Sequence, residues 1–171
     1  DIFSRVIHGS QVSLSIGVAA VGLAVIFGII VGAIGGYFSN WIDRVIGFTF
    51  DCILSFPLII LAILLIVAFG ASTFNIIIAL GIVLFPYYGR LMRGEALSVR
   101  TREYIDAAKA LGYGDLWIII RHVIPNSMHS VLIASSMSVG FIILIEASLS
   151  FIGLGTQPPT PSWGYDLQSG L

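Results

Sequence analysis

Few side chains in this chain of 171 residues can do chemistry: eight Lys or Arg, nine Asp or Glu, three His and one Cys. Glu146 is the one acid of a long apolar run, and an acid in such a run is by default a candidate for a proton or ion path. It lies toward the later end of that run, within reach of an interface, so a packing or interfacial carboxylate is the favoured reading. The runs hold no second carboxylate, so the converging groups of a membrane-embedded enzyme are missing. His122 and His129 straddle Pro125 without metal-ligand spacing. Cys52 is alone, which excludes an intrachain disulfide and a cysteine metal cluster. The one lysine, Lys109, follows no glycine-rich turn, so a phosphate-binding loop is excluded. No catalytic residue, metal or cofactor is expected here.

The remaining charge is concentrated. Six of the eight basic residues (Arg90, Arg93, Arg100, Arg102, Lys109, Arg121) and four of the nine acids (Glu95, Glu103, Asp106, Asp115) fall between Arg90 and Asn126. Exchange with a soluble partner belongs in this island. Within it, Thr101 is placed to cap a helix on which Ile105, Ala108 and Leu111 share a face, with Glu103 in the favourable first turn and Gly112 as its stop. Ala107 and Ala108 leave that helix thin on one side, fit for a narrow cleft on another protein, and Gly112 permits the positive-φ turn that redirects the chain. A second short helix, capped by Asp115, is predicted to run to His122.

The elements around the island are apolar. Hydrophobic residues make up 57% of the chain, charged residues 10%, and mean hydropathy is +1.02, values that belong in a bilayer. A net charge of −1 gives no long-range field for nucleic acid or anionic lipid. Spans are predicted at about 12–37, 53–69, 74–88 and 128–151, each judged against the ~20 helical residues that cross ~30 Å of hydrocarbon. On the first, Gly28, Gly32 and Gly36 recur every fourth residue, a stripe that admits another backbone closely. Ser39 to Phe50 reads as a surface connection with Trp41 at the interface, Gly70 to Thr73 as a turn capped by Thr73, and Pro125 and Asn126 as break and cap of the last span. Pro57 and Pro86 are each expected to kink or end a helix. Asp1 to Gln11 reads as a surface segment and Gly153 to Leu171 as a loop. No signal peptide is visible, and the chain reads as part of a longer protein. Seven of eight basic residues fall on the side of Ser39–Phe50 and the island, which is therefore expected to be cytoplasmic.

The run Asp106, Ala107, Ala108, three residues, Gly112, nine residues, then His122, Val123, Ile124 and Pro125 resembles the Glu-Ala-Ala loop of permease subunits in bacterial binding-protein-dependent ABC importers. That pattern reads Glu-Ala-Ala, three residues, Gly, nine residues, Ile-x-Leu-Pro. Here Asp106 stands for Glu, His122 for the first Ile and Ile124 for Leu. The ending is similar to the Arg-His-x-x-Pro-Asn of the peptide/nickel branch. That branch is also suggested by Ser55-Phe56-Pro57, by Arg90, Arg93, Gly94 and Glu95, and by the run Glu146 to Gly155 followed by Gln157, Pro158, Pro159, Pro161, Trp163 and Gly164. The resemblance covers nearly the whole chain and is strongest to the C-type permease subunit of dipeptide/oligopeptide transporters.

The resemblance implies an all-α polytopic helix bundle of the type I importer kind, here one partial transmembrane domain over 1–171 with four spans and short cytoplasmic coupling helices. It implies a non-catalytic inner-membrane subunit that forms half of a peptide pathway and docks on a separate ATP-binding cassette subunit through 102–122. Glu103, Asp106, Ala107, Ala108, Leu111, Gly112 and Pro125 would carry that coupling. ATP and Mg would be bound by the partner ATPase, cargo delivered by an external binding protein, and the pathway completed by a second homologous permease among membrane lipid, with no nucleic acid. Family members carry a further helix before and another after this region. A nickel or other small-solute importer is the alternative within the family, and a proton-coupled carrier using Glu146 the alternative outside it.

Overall fold

A computed structural model describes residues 2–156 and 160–170 of the chain. Its described residues form helices joined by short turns, without a strand. In order these are α1 (Ile2–Phe38), α2 (Trp41–Leu54), α3 (Leu58–Phe69), α4 (Thr73–Val99), α5 (Glu103–Ala110), α6 (Asp115–Ile118), a π turn (Ile119–Val123), α7 (Ile124–Phe151) and α8 (Trp163–Ser169). Three stretches are long and apolar enough to cross a membrane, Phe3–Phe38, Thr73–Val99 and Asp115–Phe151; α2 and α3 make a fourth if they form one broken span. Large apolar side chains such as Val18, Phe27, Ile30 and Leu144 point outward from these helices, as lipid-facing surfaces require. The fold is all-α and polytopic.

Several boundaries differ from the sequence reading, each for a local reason. The segment 2–11 is helical: His8 Nδ1 and Ser10 Oγ bond back to the Ser4 and Ile7 carbonyls, so its polar groups are met by its own backbone. The expected 53–69 span is broken at Pro57, whose ring and extended backbone (ψ 130°) end α2 and open α3. Asn40 Oδ1 accepts from the Ile42 N–H and starts α2. Ser72, not Thr73, caps α4, accepting from the Asn75 N–H at 3.1 Å. α4 runs on through Pro86 to Val99, taking the first ten residues of the island with it. The chain does not break at Pro125. Instead the π turn precedes it, Ile124 N–H bonds the Ile119 carbonyl, and Asn126 Nδ2 donates to the His122 carbonyl at 2.6 Å, so Asn126 satisfies a carbonyl behind it rather than capping. In the expected C-terminal loop, Gln157, Pro158 and Pro159 lie outside the described residues, and α8 is capped by Ser162 Oγ.

The contacts divide the chain into two compact units. One comprises Asp1–Leu23, Phe56–Leu84 and Ser136–Leu171. Within it, Gly17 of α1 lies under Ile143 of α7 and Gly81 of α4 under Leu23, while α8 is held by an Arg5–Asp166 ion pair at 2.6 Å and a Trp163 Nε1 bond to the Val6 carbonyl. The other comprises Ala24–Ser55 and Phe85–Ser135. It contains seven of the eight basic residues, Arg44, Arg90, Arg93, Arg100, Arg102, Lys109 and Arg121. There the glycine stripe receives α4: a Cβ on Gly28 would lie 2.7 Å from Tyr88 Cβ, one on Gly36 2.6 Å from the Arg93 carbonyl, and one on Gly32 would collide with the Gly89 carbonyl. Phe50 of α2 fills the space beside Gly89 and meets Phe85 edge-on.

Candidate coupling site

The charged residues at the end of α4 are bound to the neighbouring helices of their unit. Arg93 holds both carboxylate oxygens of Asp43 through Nε and Nη2, and Arg90 pairs with Asp51. Glu95 accepts from Ser130 Oγ at 2.6 Å. This pairing lets α4 stay helical through residues that read as a loop, because charges that are paired and hydrogen-bonded need not be surrendered to water.

α5 follows a tight turn. Arg102, not Thr101, occupies its N-cap position, and the Thr101 hydroxyl donates to the Ser98 carbonyl instead. Glu103 and Asp106 sit in the first turn, and Lys109 in the last, all favourable to the helix dipole. At the other end Gly112 has φ +83°, with Gly112 N–H on the Lys109 carbonyl and Tyr113 N–H on the Ala108 carbonyl. Those two bonds are the Schellman arrangement, which needs a residue comfortable at positive φ.

The face presented outward differs from the expected one. Ile105 and Ala108 (5% exposed) point inward, whereas Glu103, Asp106, Ala107 and Ala110 are exposed and Leu111 is 77% exposed. The thin side of α5 is therefore Ala107 and Ala110. Ala108 serves the packing beneath. Pro125 is exposed in the first turn of α7, beyond the π turn.

Sequence reasoning missed two groupings. Tyr104, Tyr113, Trp117 and His122 form an aromatic cluster, with Tyr113 stacked on Trp117 at 4.1 Å and His122 edge-on to Trp117 at 5.1 Å. No helical period links these four, so no sequence signal marked them. Asp115, expected as a cap, stands at the first position of α6, and its Oδ1 accepts from the Tyr37 hydroxyl at 2.6 Å.

Glu146 lies in the other unit. It is fully buried; Oε1 accepts from Ser150 Oγ at 2.7 Å, and Oε2 makes no hydrogen bond to a described residue. Its surroundings explain the glycines that follow: Gly153 (φ +83°) ends α7, and Gly155 and Gly164 press against Ser150 where a Cβ would collide. Among the described residues, no three His, Cys, Asp or Glu side chains are grouped to hold a metal.

The chain thus joins long apolar helices to a short, exposed, glycine-ended helix in the unit that holds seven of its eight Lys and Arg residues. Residues 14–171 match the family described as binding-protein-dependent transport system inner membrane component, and the chain belongs to it. Relatives include the dipeptide transport system permease protein of Alkalihalophilus pseudofirmus, 44% identical over 164 residues. The glutathione transport system permease proteins of Pectobacterium atrosepticum and Escherichia coli are 39% and 42% identical over 164 residues. Each comparison covers 96% of this chain and 54% of the relative, so the chain spans about half the length of the curated relatives it matches.

Proposed function

We propose that this chain lines half of the pathway of a bacterial ATP-driven importer for di- or oligopeptides, and that α5 is the element through which a separate ATPase moves it. The observation that carries the reading is α5 itself: a helix of eight residues, exposed on its Ala107 side, acidic in its first turn and turned by Gly112, within the unit that holds seven of eight basic residues. By the positive-inside rule that unit faces the cytoplasm, where an ATP-binding cassette subunit would be met. A second, homologous permease would complete the pathway, and an external binding protein would deliver cargo. ATP and Mg would be held by the ATPase, so this chain is non-catalytic. The names of the dipeptide and glutathione relatives support peptide cargo.

The test follows the exposed face. Ala107→Glu sets a bulky charge where α5 is thin and solvent-facing, so folding and pairing with the second permease should survive. ATP-dependent uptake and the stimulation of ATP hydrolysis by loaded binding protein should be lost. In a Cys52→Ser background, Ala107→Cys should crosslink to the ATPase more strongly than Ser98→Cys. Uptake that survives Ala107→Glu, or that follows a proton gradient without ATP, would reject the reading.

A further inference from the structure

The coupling segment is joined covalently to two spanning helices only, α4 before it and α7 after it. α1 has no such link. Tyr37, the residue after the last stripe glycine, is 7% exposed and makes three contacts to that segment. Its hydroxyl donates to Asp115 Oδ1 at 2.6 Å, Lys109 Nζ of α5 stands 5.6 Å from its ring centroid, and its carbonyl accepts from Arg100 Nη1 at 3.1 Å. One residue thus touches the turn that follows α4, α5 itself and the start of α6.

We propose that Tyr37 is a positioning residue, a clasp that draws α1 onto the root of the coupling segment and fixes the direction in which α5 points. The inference rests on the coupling role given to α5 above, and deepens it by naming what holds α5 in place. The stripe of Gly28, Gly32 and Gly36 already binds α1 to α4 by backbone approach. The hydroxyl bond adds α6, and with it the head of α7. Without the hydroxyl bond, α5 keeps its covalent ends and the packing of Ile105 and Ala108 but loses the tie to α1 through Asp115, and a push on it is spent on bending the turns at Arg100–Arg102 and Gly112–Gly114. The bond to Asp115 is the part that can be removed cleanly, since the buried ring, the Arg100 contact to a backbone carbonyl and the Lys109 contact to the ring face all survive Tyr37→Phe.

The experiment uses the full-length permease assembled with its second permease and ATPase in liposomes, Cys52→Ser, carrying a spin label at Ala110→Cys. Tyr37→Phe and Asp115→Ala should each raise label mobility, and the double variant should raise it no further, because both remove one interaction. Asp115→Asn should leave mobility as in the parent, its amide oxygen still accepting the Tyr37 proton. In the same variants, hydrolysis stimulated by binding protein should fall ~10-fold where the bond is lost, the scale of one hydrogen bond to a charged group, with basal hydrolysis unchanged. Unchanged mobility in Tyr37→Phe, additive effects in the double variant, or Asp115→Asn as mobile as Asp115→Ala would overturn the clasp. Failure of the Ala107→Cys crosslink would instead remove the coupling reading, while the mobility series still decides whether Tyr37 holds α5.

Discussion

At the scale of single residues, glycines do unlike jobs in this chain, and substitution separates them. Gly32 exists so that the backbone of α4 can approach: Gly32→Leu would force α1 and α4 apart and should cost ~1–3 kcal/mol, as overpacking does elsewhere. Gly112 exists for its positive φ, with open space around it, so Gly112→Val should cost about 1–2 kcal/mol through backbone strain alone and redirect the chain after α5. Gly94 has neither constraint, and Gly94→Ala should stabilise α4 by ~0.5–1 kcal/mol. Thermal unfolding of the purified permease ranks the three. A Gly32→Leu variant as stable as Gly94→Ala would mean that the stripe is not a packed contact. Ala108 changes its meaning at this scale: Ala108→Glu would bury a charge beneath α5, so a loss of transport there would report folding damage and not a blocked docking face.

At the scale of elements, apolar runs and turn residues made much of the architecture legible. Runs without charge fell inside the three helices long and apolar enough to cross a membrane without giving their bounds, Gly112 marked the end of α5, and the four-residue spacing of glycines marked the α1 face that α4 occupies. Charge misled at Arg90–Val99, because sequence shows a charge but not its partner; Asp43 and Asp51 lie 50 and 39 residues from the arginines they bind. For the same reason the Tyr37–Asp115 bond, across 78 residues, left no local trace. Pro125 misled in another way. A proline usually interrupts a helix, but here the π turn widens the chain just before it and Asn126 supplies a donor to the His122 carbonyl. Asn126→Ala should therefore destabilise this join by ~1 kcal/mol, read as faster amide exchange across the π turn. Exchange unchanged from the parent would show that water satisfies that carbonyl equally well.

At the scale of the whole molecule, the partition of charge predicts a direction in the membrane. Arg5 is the one basic residue outside the Ala24–Ser55 and Phe85–Ser135 unit. In a Cys52→Ser background, Ser98→Cys should be labelled only from the cytoplasm and Thr160→Cys only from outside, both positions being exposed. The reverse pattern would put α5 on the wrong side for any ATPase. The π turn at Ile119–Val123 has a consequence for the same geometry. A π turn is an α-helix carrying one surplus residue, and each residue of an α-helix advances the chain by about 100° around its axis. The wider turn at Ile119–Val123 takes up that surplus residue, so the helix on either side keeps the bearing it would have without it, as a slack link lets a chain run one link long. Deleting Ile120 should therefore leave a continuous α-helix with α5 near its present heading, whereas deleting one residue from the regular helix just after Asn126 should turn α5 by about 100°.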